Sequence, residues 1–82
     1  MFKNKNQNGK NNICGGKVAI LRKNYTPKMS QRALADRLQL AGIDVDKNAI
    51  QRIESGQRFV TDIELQALAK VFNTTSDYLL GE

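Results

Sequence analysis

Four polar side chains that are able to recognise nucleic-acid bases lie close together near the middle of the chain. They are Lys47, Asn48, Gln51 and Arg52. Lysine and arginine can grip the edge of guanine, and asparagine and glutamine can pair with adenine. Ile50 and Ile53 define the apolar direction of a helix here. At 100° per residue, Asn48 would point almost opposite to it, Gln51 and Arg52 would flank Asn48, and Lys47 would lie to one side. The spacing predicts an outward polar face that suits duplex DNA, although any solvated helix face carries such residues.

Other residues that could do chemistry are scarce, and we do not expect an enzyme. The chain has no histidine, and a lone Gly15-Gly16 pair is its nearest approach to a phosphate-binding loop. The carboxylates are not clustered as an acid and base pair would be. The single cysteine, Cys14, has no second cysteine or histidine with which to hold a metal, so we interpret it as an incidental thiol in a flexible segment. We expect no catalytic residue, no metal site and no cofactor.

Charge is distributed unevenly along the 82 residues. Thirteen lysines and arginines against eight acidic residues give a formal net charge of +5. Residues 1–17 contain four lysines and no acidic residue, whereas residues 59–82 contain one lysine and four acidic residues. This asymmetry suits a polyanionic partner, but an excess of lysine also keeps an ordinary protein in solution. Charge alone leaves both interpretations open.

Length and composition predict a single domain without a membrane segment. A chain of this size can bury one modest core. Apolar stretches stay well short of the roughly 18 residues that span a bilayer, and the N-terminal residues lack the apolar centre of a secretory signal. We therefore expect a cytoplasmic protein with a disordered, basic, Asn/Lys-rich arm over residues 1–15 and a folded domain over residues 16–82.

Helix signals recur through the folded part. Val18, Leu21 and Tyr25 share one face of a first helix, which Thr26-Pro27 ends. Every periodic segment has the spacing of a helix, so the sequence predicts an all-α fold.

Two further helices follow, each with a start signal and a stop signal. Ser30 is a natural N-cap for the second helix, and Gly42 is placed to end it. Asp46 is the N-cap of a third helix over residues 47–55, which Gly56 ends. This third helix carries the four polar side chains described above.

The fourth and fifth helices complete the domain. Thr61 and Glu64 have the spacing of a capping box that opens the fourth helix. Its predicted apolar face comprises Ile63, Leu65, Leu68, Ala69 and Phe72. Ser76 is the expected cap of a short last helix that contains Tyr78, Leu79 and Leu80.

Several ordered motifs resemble one family of DNA-binding proteins. They are S-Q-R-A-L-A-D-R-L at residues 30–38, A-I-Q-R-I-E-S-G at residues 49–56, I-E-L-Q-A-L-A-K-V-F at residues 63–72 and D-Y-L-L-G at residues 77–81. Together they resemble the lambda-repressor-like, Cro/C1-type (XRE) helix-turn-helix family, over roughly residues 17–81. The resemblance implies a compact five-helix domain whose third helix, residues 47–55, enters the major groove of double-stranded DNA.

The resemblance also implies a function. A bacterial or phage transcriptional regulator of this kind would bind DNA sequence-specifically, with Lys47, Asn48, Gln51 and Arg52 contacting bases. Two copies, a homodimer on DNA, would occupy half-sites about one helical turn apart. The alternative is a protein-interaction or antitoxin-like module that keeps the fold without reading DNA. Apolar anchors on the outward face of the third helix would favour that alternative.

Further roles follow from the resemblance for residues around the third helix. The expected contacts to DNA phosphates are Gln31, Ser55, Arg58 and Lys28. Arg22 and Glu54 would form a structural ion pair between the first and third helices. The apolar residues 78–80 are a candidate dimer contact, although packing on the core suits them better.

The sequence departs from the common family pattern in two connections. About five extra residues, 40–44, stand between the second and third helices, which predicts a longer second helix. Residues 26–28 lengthen the preceding turn by about two residues. Both changes leave the order of the motifs intact.

Overall fold

The computed structural model describes residues 10–81, in which every regular element is a helix. The elements are α1 (Gly15–Asn24), α2 (Gln31–Leu40), α3 (Lys47–Ser55), α4 (Asp62–Val71) and α5 (Ser76–Leu79). The predicted five-helix, all-α fold is confirmed. Across the described range, no helix has the length and apolar character needed to cross a membrane.

The starts of α2 and α3 lie at the predicted caps. The hydroxyl of Ser30 accepts a hydrogen bond from the backbone N–H of Ala33 at 3.0 Å. The carboxylate of Asp46 accepts from the N–H of Ala49 at 2.8 Å. Each cap satisfies one of the N–H groups that have no partner inside the helix. The caps therefore determine where the helices on either side of the turn begin.

The second helix ends beside Gly42, as the sequence predicts. α2 ends at Leu40, and Gly42 adopts a left-handed φ of +87°, a conformation that costs glycine little and other residues more. The N–H of Ile43 then donates to the carbonyl of Leu38 at 2.9 Å. The extra residues consequently form a turn that leads back to the core through the buried Val45.

The core is formed by apolar residues from all five helices and from the connections between them. Its fully enclosed side chains include Val18, Leu34, Leu38, Ile50, Ile53, Leu68 and Leu79. α3 packs against both α1 and α2, while α4 packs against α2 and α5. Burial of Ile50 and Ile53 anchors α3, which leaves the opposite face of this helix in solvent.

Two predictions about the last two helices need correction. The capping box of Thr61 and Glu64 is present, but Ile63 is 65% exposed, because its position on α4 faces away from the other helices. The cap of α5 is Thr75, whose hydroxyl accepts from the N–H of Tyr78 at 3.1 Å. Ser76 is instead the first helical residue, since the extended backbone that a cap requires occurs at Thr75.

The segment before α1 differs from the predicted arm. Asn12 and Cys14 are buried, so the part of the predicted arm that the structure describes is attached to the domain. Desolvation on burial raises the pKa of the Cys14 thiol to about 11, which keeps it protonated at neutral pH. Cys14 is therefore a core residue, and its interpretation as a thiol in a flexible segment is wrong. Residues 1–9 of the predicted arm lie outside the described residues.

Candidate nucleic-acid interface

The exposed face of α3 carries the four predicted base-contacting side chains. Lys47, Asn48, Gln51 and Arg52 are all exposed. Asn48, Gln51 and Arg52 lie on the side of the helix away from the buried isoleucines, because of the helical spacing. Lys47 lies to one side, toward α2. The helix therefore presents hydrogen-bonding groups on its outer side and apolar groups on its inner side.

The C-terminal half of this face forms a shallow concavity. Its lining residues are Asn48, Gln51, Arg52, Ser55 and Gln57. The hydroxyl of Ser55 donates to the carbonyl of Arg52 at 3.2 Å, so this side chain is partly engaged within the helix. Gln57 was not among the predicted site residues. Its place in the S-G-Q-R segment directly after α3 was the available signal.

The N-terminal half of α3 faces a second groove, shared with α2. Its lining residues are Arg32, Ala35, Asp36, Gln39, Asp46 and Lys47. Two carboxylates and two cations share this groove, so their charges offset one another. The remaining cation on the outer face of α3 is Arg52, which borders the other concavity and has no acidic neighbour among its lining residues.

A buried ion pair joins α1 to the end of α3. The guanidinium of Arg22 donates to both carboxylate oxygens of Glu54, from Nε at 2.6 Å and from Nη2 at 2.9 Å. The two side chains are only 11% and 9% exposed. A further donation to the carbonyl of Met29 at 3.1 Å attaches the same group to the loop before α2. The hydrogen bond to Glu54 raises the pKa of Arg22 further above its already high value, so the guanidinium stays protonated.

Gln31 is attached to the same ion pair. Its amide nitrogen donates to Glu54 at 3.0 Å, and its side chain is half-buried at the first position of α2. The nitrogen is therefore engaged within the protein. A phosphate at this end of α2 would be met by the free backbone N–H groups of the first turn and by the helix dipole.

Arg58 does not project into solvent as expected of a phosphate contact. Its guanidinium donates to both carboxylate oxygens of Glu64, at 2.8 and 3.0 Å, and also to the carbonyl of Phe59 at 3.2 Å. The exposed fractions of the Arg58 and Glu64 side chains are 29% and 15%. Sequence reasoning missed Glu64 as the partner because it treated that residue only as part of a capping box. Arg58 attaches the loop after α3 to the start of α4.

The pKa of Glu64 reflects this attachment. Burial alone would raise it, but the hydrogen bonds from Arg58 and from Thr61, together with the charge of Arg58, outweigh burial and lower it below 4.5. The carboxylate stays ionised at neutral pH and offsets the charge of Arg58. Lys28, the remaining predicted phosphate contact, is exposed in the loop before α2.

Two helices joined by a turn, the second presenting a polar face and both resting on a helical core, define a helix-turn-helix domain. A comparison with protein-family models matches residues 21–79 to the helix-turn-helix family HTH_3. The chain belongs to this family, in its Cro/C1 (XRE) type, which consists of DNA-binding regulators. Comparisons with curated proteins and with solved structures returned no match.

Proposed function

We propose that this protein binds double-stranded DNA sequence-specifically, as a bacterial or phage transcriptional regulator, with α3 in the major groove. The observation that carries the proposal is the exposed row Lys47, Asn48, Gln51 and Arg52 opposite two fully buried isoleucines. An α-helix fits the major groove, where these side-chain types distinguish base pairs. A DNA target also suits the cytoplasmic location expected from the sequence.

Contacts to phosphates would flank this helix. Lys28 is an exposed cation beside the start of α2, and Ser55 lies at the end of α3. The first turn of α2, which begins at Gln31, supplies backbone N–H groups that favour an anion. Arg58 holds the loop through its ion pair with Glu64, and its partly exposed guanidinium remains a candidate phosphate contact.

Two copies on adjacent half-sites would enlarge a small footprint. Of the candidate dimer residues on and after α5, Leu79 is fully buried and belongs to the core. Tyr78 is 43% exposed and Leu80 is partly buried against the core, so Tyr78 offers the larger surface to a second copy. The ammonium of Lys17 lies 4.9 Å from the centre of the Tyr78 ring.

A protein-interaction module is the second candidate function. Leu40 and Ile63 are large apolar side chains that project into solvent, and they could contact a protein partner. Both lie outside α3, whose exposed residues are polar. A partner bound through these residues would therefore leave the proposed DNA surface uncovered.

Selection of duplexes from a random pool tests the proposed function. Recovery of a recurrent sequence is expected, and Arg52→Ala or Asn48→Ala should then weaken preference at particular base pairs by about 1–3 kcal/mol. Lys70→Ala is the matched control for charge, since Lys70 is an exposed cation on α4. It should leave the preference unchanged. If folded variants at all four outward positions of α3 keep both affinity and preference, DNA reading by this helix is wrong.

A further inference from the structure

Asn12 lies outside the family match, yet its side chain is buried between two helix ends. It is 2% exposed. Its amide nitrogen donates to the carbonyls of Ile53 at 3.1 Å and Arg58 at 2.8 Å. Its side-chain oxygen accepts from the backbone N–H of Gly15 at 2.8 Å. A single side chain is thus bonded to the start of α1, the last turn of α3 and the loop that follows.

The two helix ends that Asn12 joins are in direct contact. Gly15 approaches α3 so closely that a Cβ there would collide with the carbonyl oxygen of Ile53. The N-cap residue of α1, Cys14, makes no side-chain capping hydrogen bond, and Asn12 satisfies an N–H at this helix start in its place. The geometry therefore leaves little freedom for α3 to shift relative to α1 while these bonds hold.

Asn11 makes two further attachments at the same place. Its backbone N–H donates to the carbonyl of Gly56 at 2.7 Å, and its side chain donates to the carbonyl of Gln57 at 2.8 Å. Together with Asn12 it bonds to four carbonyls within residues 53–58. These residues include part of the lining of the concavity beside α3.

We propose that Asn12 is a positioning residue for DNA recognition. It fixes the last turn of α3 and the following loop, and with them Arg52, Ser55 and Gln57. Recognition groups must be held to within about 0.5 Å, which requires hydrogen bonds from surrounding residues. The inference rests on the proposed function, because it concerns the same surface. Asn12 itself acts only through α3 and its loop, since its side chain is buried.

The test compares affinity for two duplexes. Asn12→Ala is measured on a duplex selected by the parent protein and on an unrelated duplex, at a temperature where circular dichroism shows the variant to be folded. We expect the ratio of the two affinities to fall about tenfold, comparable to the discrimination of one good base contact. Affinity for the unrelated duplex should not change.

Phe72→Leu is the control for a general loss of stability, because it reduces a buried side chain at the end of α4. It should keep the parent's affinity ratio. The inference is overturned if folded Asn12→Ala keeps the parent ratio, or if Phe72→Leu lowers it equally.

A second variant covers the case in which Asn12→Ala does not fold. Asn12→Ser keeps a short acceptor near Gly15 but cannot donate to two carbonyls, and it takes the same binding test. In the absence of DNA, Asn12→Ser should speed amide hydrogen exchange at Gln57 and Arg58 more than in α5. An equal change in exchange rate at both places would overturn the proposed attachment.

A parent protein that selects no duplex overturns the proposed function. A selective parent together with an unaffected variant overturns this inference alone.

Discussion

The two ends of α3 are stabilised in different ways. The N-terminal end, or first end, is capped by a residue close to it in the sequence, whereas the C-terminal end, or last end, is not. Asp46 caps the helix by accepting from the N–H of Ala49, three residues further on. Lys47 and Asn48 are exposed, and Lys47 borders the groove that α3 shares with α2. The geometry at this end follows from a few neighbouring residues, so it should form wherever α3 forms.

The last end of α3 is held from distant parts of the chain. Asn12 donates to a carbonyl 41 residues away, and Arg22 pairs with a carboxylate 32 residues away. These contacts exist only when α1 has packed against α3. One end of the proposed DNA surface therefore starts at a cap made by neighbouring residues, whereas the other end is attached by residues far away in the sequence.

Arg22→Ala should remove the ion pair that attaches the last end of α3 to α1, and it should have the largest effect on stability. It leaves Glu54 buried without its charged partner, which costs about 3–5 kcal/mol for a fully buried pair. Urea denaturation followed by circular dichroism measures the loss as a lower midpoint. Lys23→Ala, at the exposed neighbouring position, should leave the midpoint near that of the parent. If the urea midpoint of Arg22→Ala matches that of the parent, the ion pair does not stabilise the attachment of α3.

Asp46→Ala should weaken the first end by a smaller amount. Loss of an N-cap side chain typically costs about 1 kcal/mol. Asp46→Asn should restore most of this stability, because asparagine caps nearly as well, and Asp44→Ala in the adjacent turn is the control for charge. The same urea series gives the values. A loss as large as that of Arg22→Ala would contradict the distinction between a local and a long-range end.

Arg58→Ala should have a smaller effect still, because its partly exposed ion pair with Glu64 falls in the range of about 0.2–1 kcal/mol. The effect should depend on pH. The folded protein lowers the pKa of Glu64, so the stabilisation is present above pH 4.5 and is lost as pH falls through the lowered pKa. Midpoints of parent and variant should therefore differ at pH 7 and converge in strong acid. A constant difference across this range would rule out the pairing as its cause.

Removal of residues 1–9 tests for phosphate contacts near the C-terminal end of α3, beside which residue 10 lies. Lys3 and Lys5 would be lost, while Asn11 and Asn12 are kept. If both lysines meet phosphates, the dependence of log affinity on log salt should flatten by about 2, at roughly 0.9 per phosphate. Lys3→Gln with Lys5→Gln in the full chain separates charge from length. An unchanged slope would show that these residues do not engage DNA.

Prediction from sequence succeeded where the signal was local. Ser30, Asp46 and Thr61 act within three residues of themselves, and their caps lie where the residue types indicated. Prediction from sequence failed where two adjacent residues were equally able to cap the same helix. Thr75 and Ser76 can both cap a helix, and the extended backbone that a cap requires occurs at Thr75.

The chain alone predicts the helical periodicity, the stop and start signals and the polar outer face of α3, because each depends on residues within a few turns. The pairing of Arg58 with Glu64, the exposure of Ile63 and the burial of Asn12 against α3 follow from the packing of the helices. Burial and pairing depend on what lies across the contact, and a chain position does not reveal its neighbours in space. For that reason Asn12, which the sequence places in a polar arm, supplies one of the attachments of the helix that we propose to contact DNA bases.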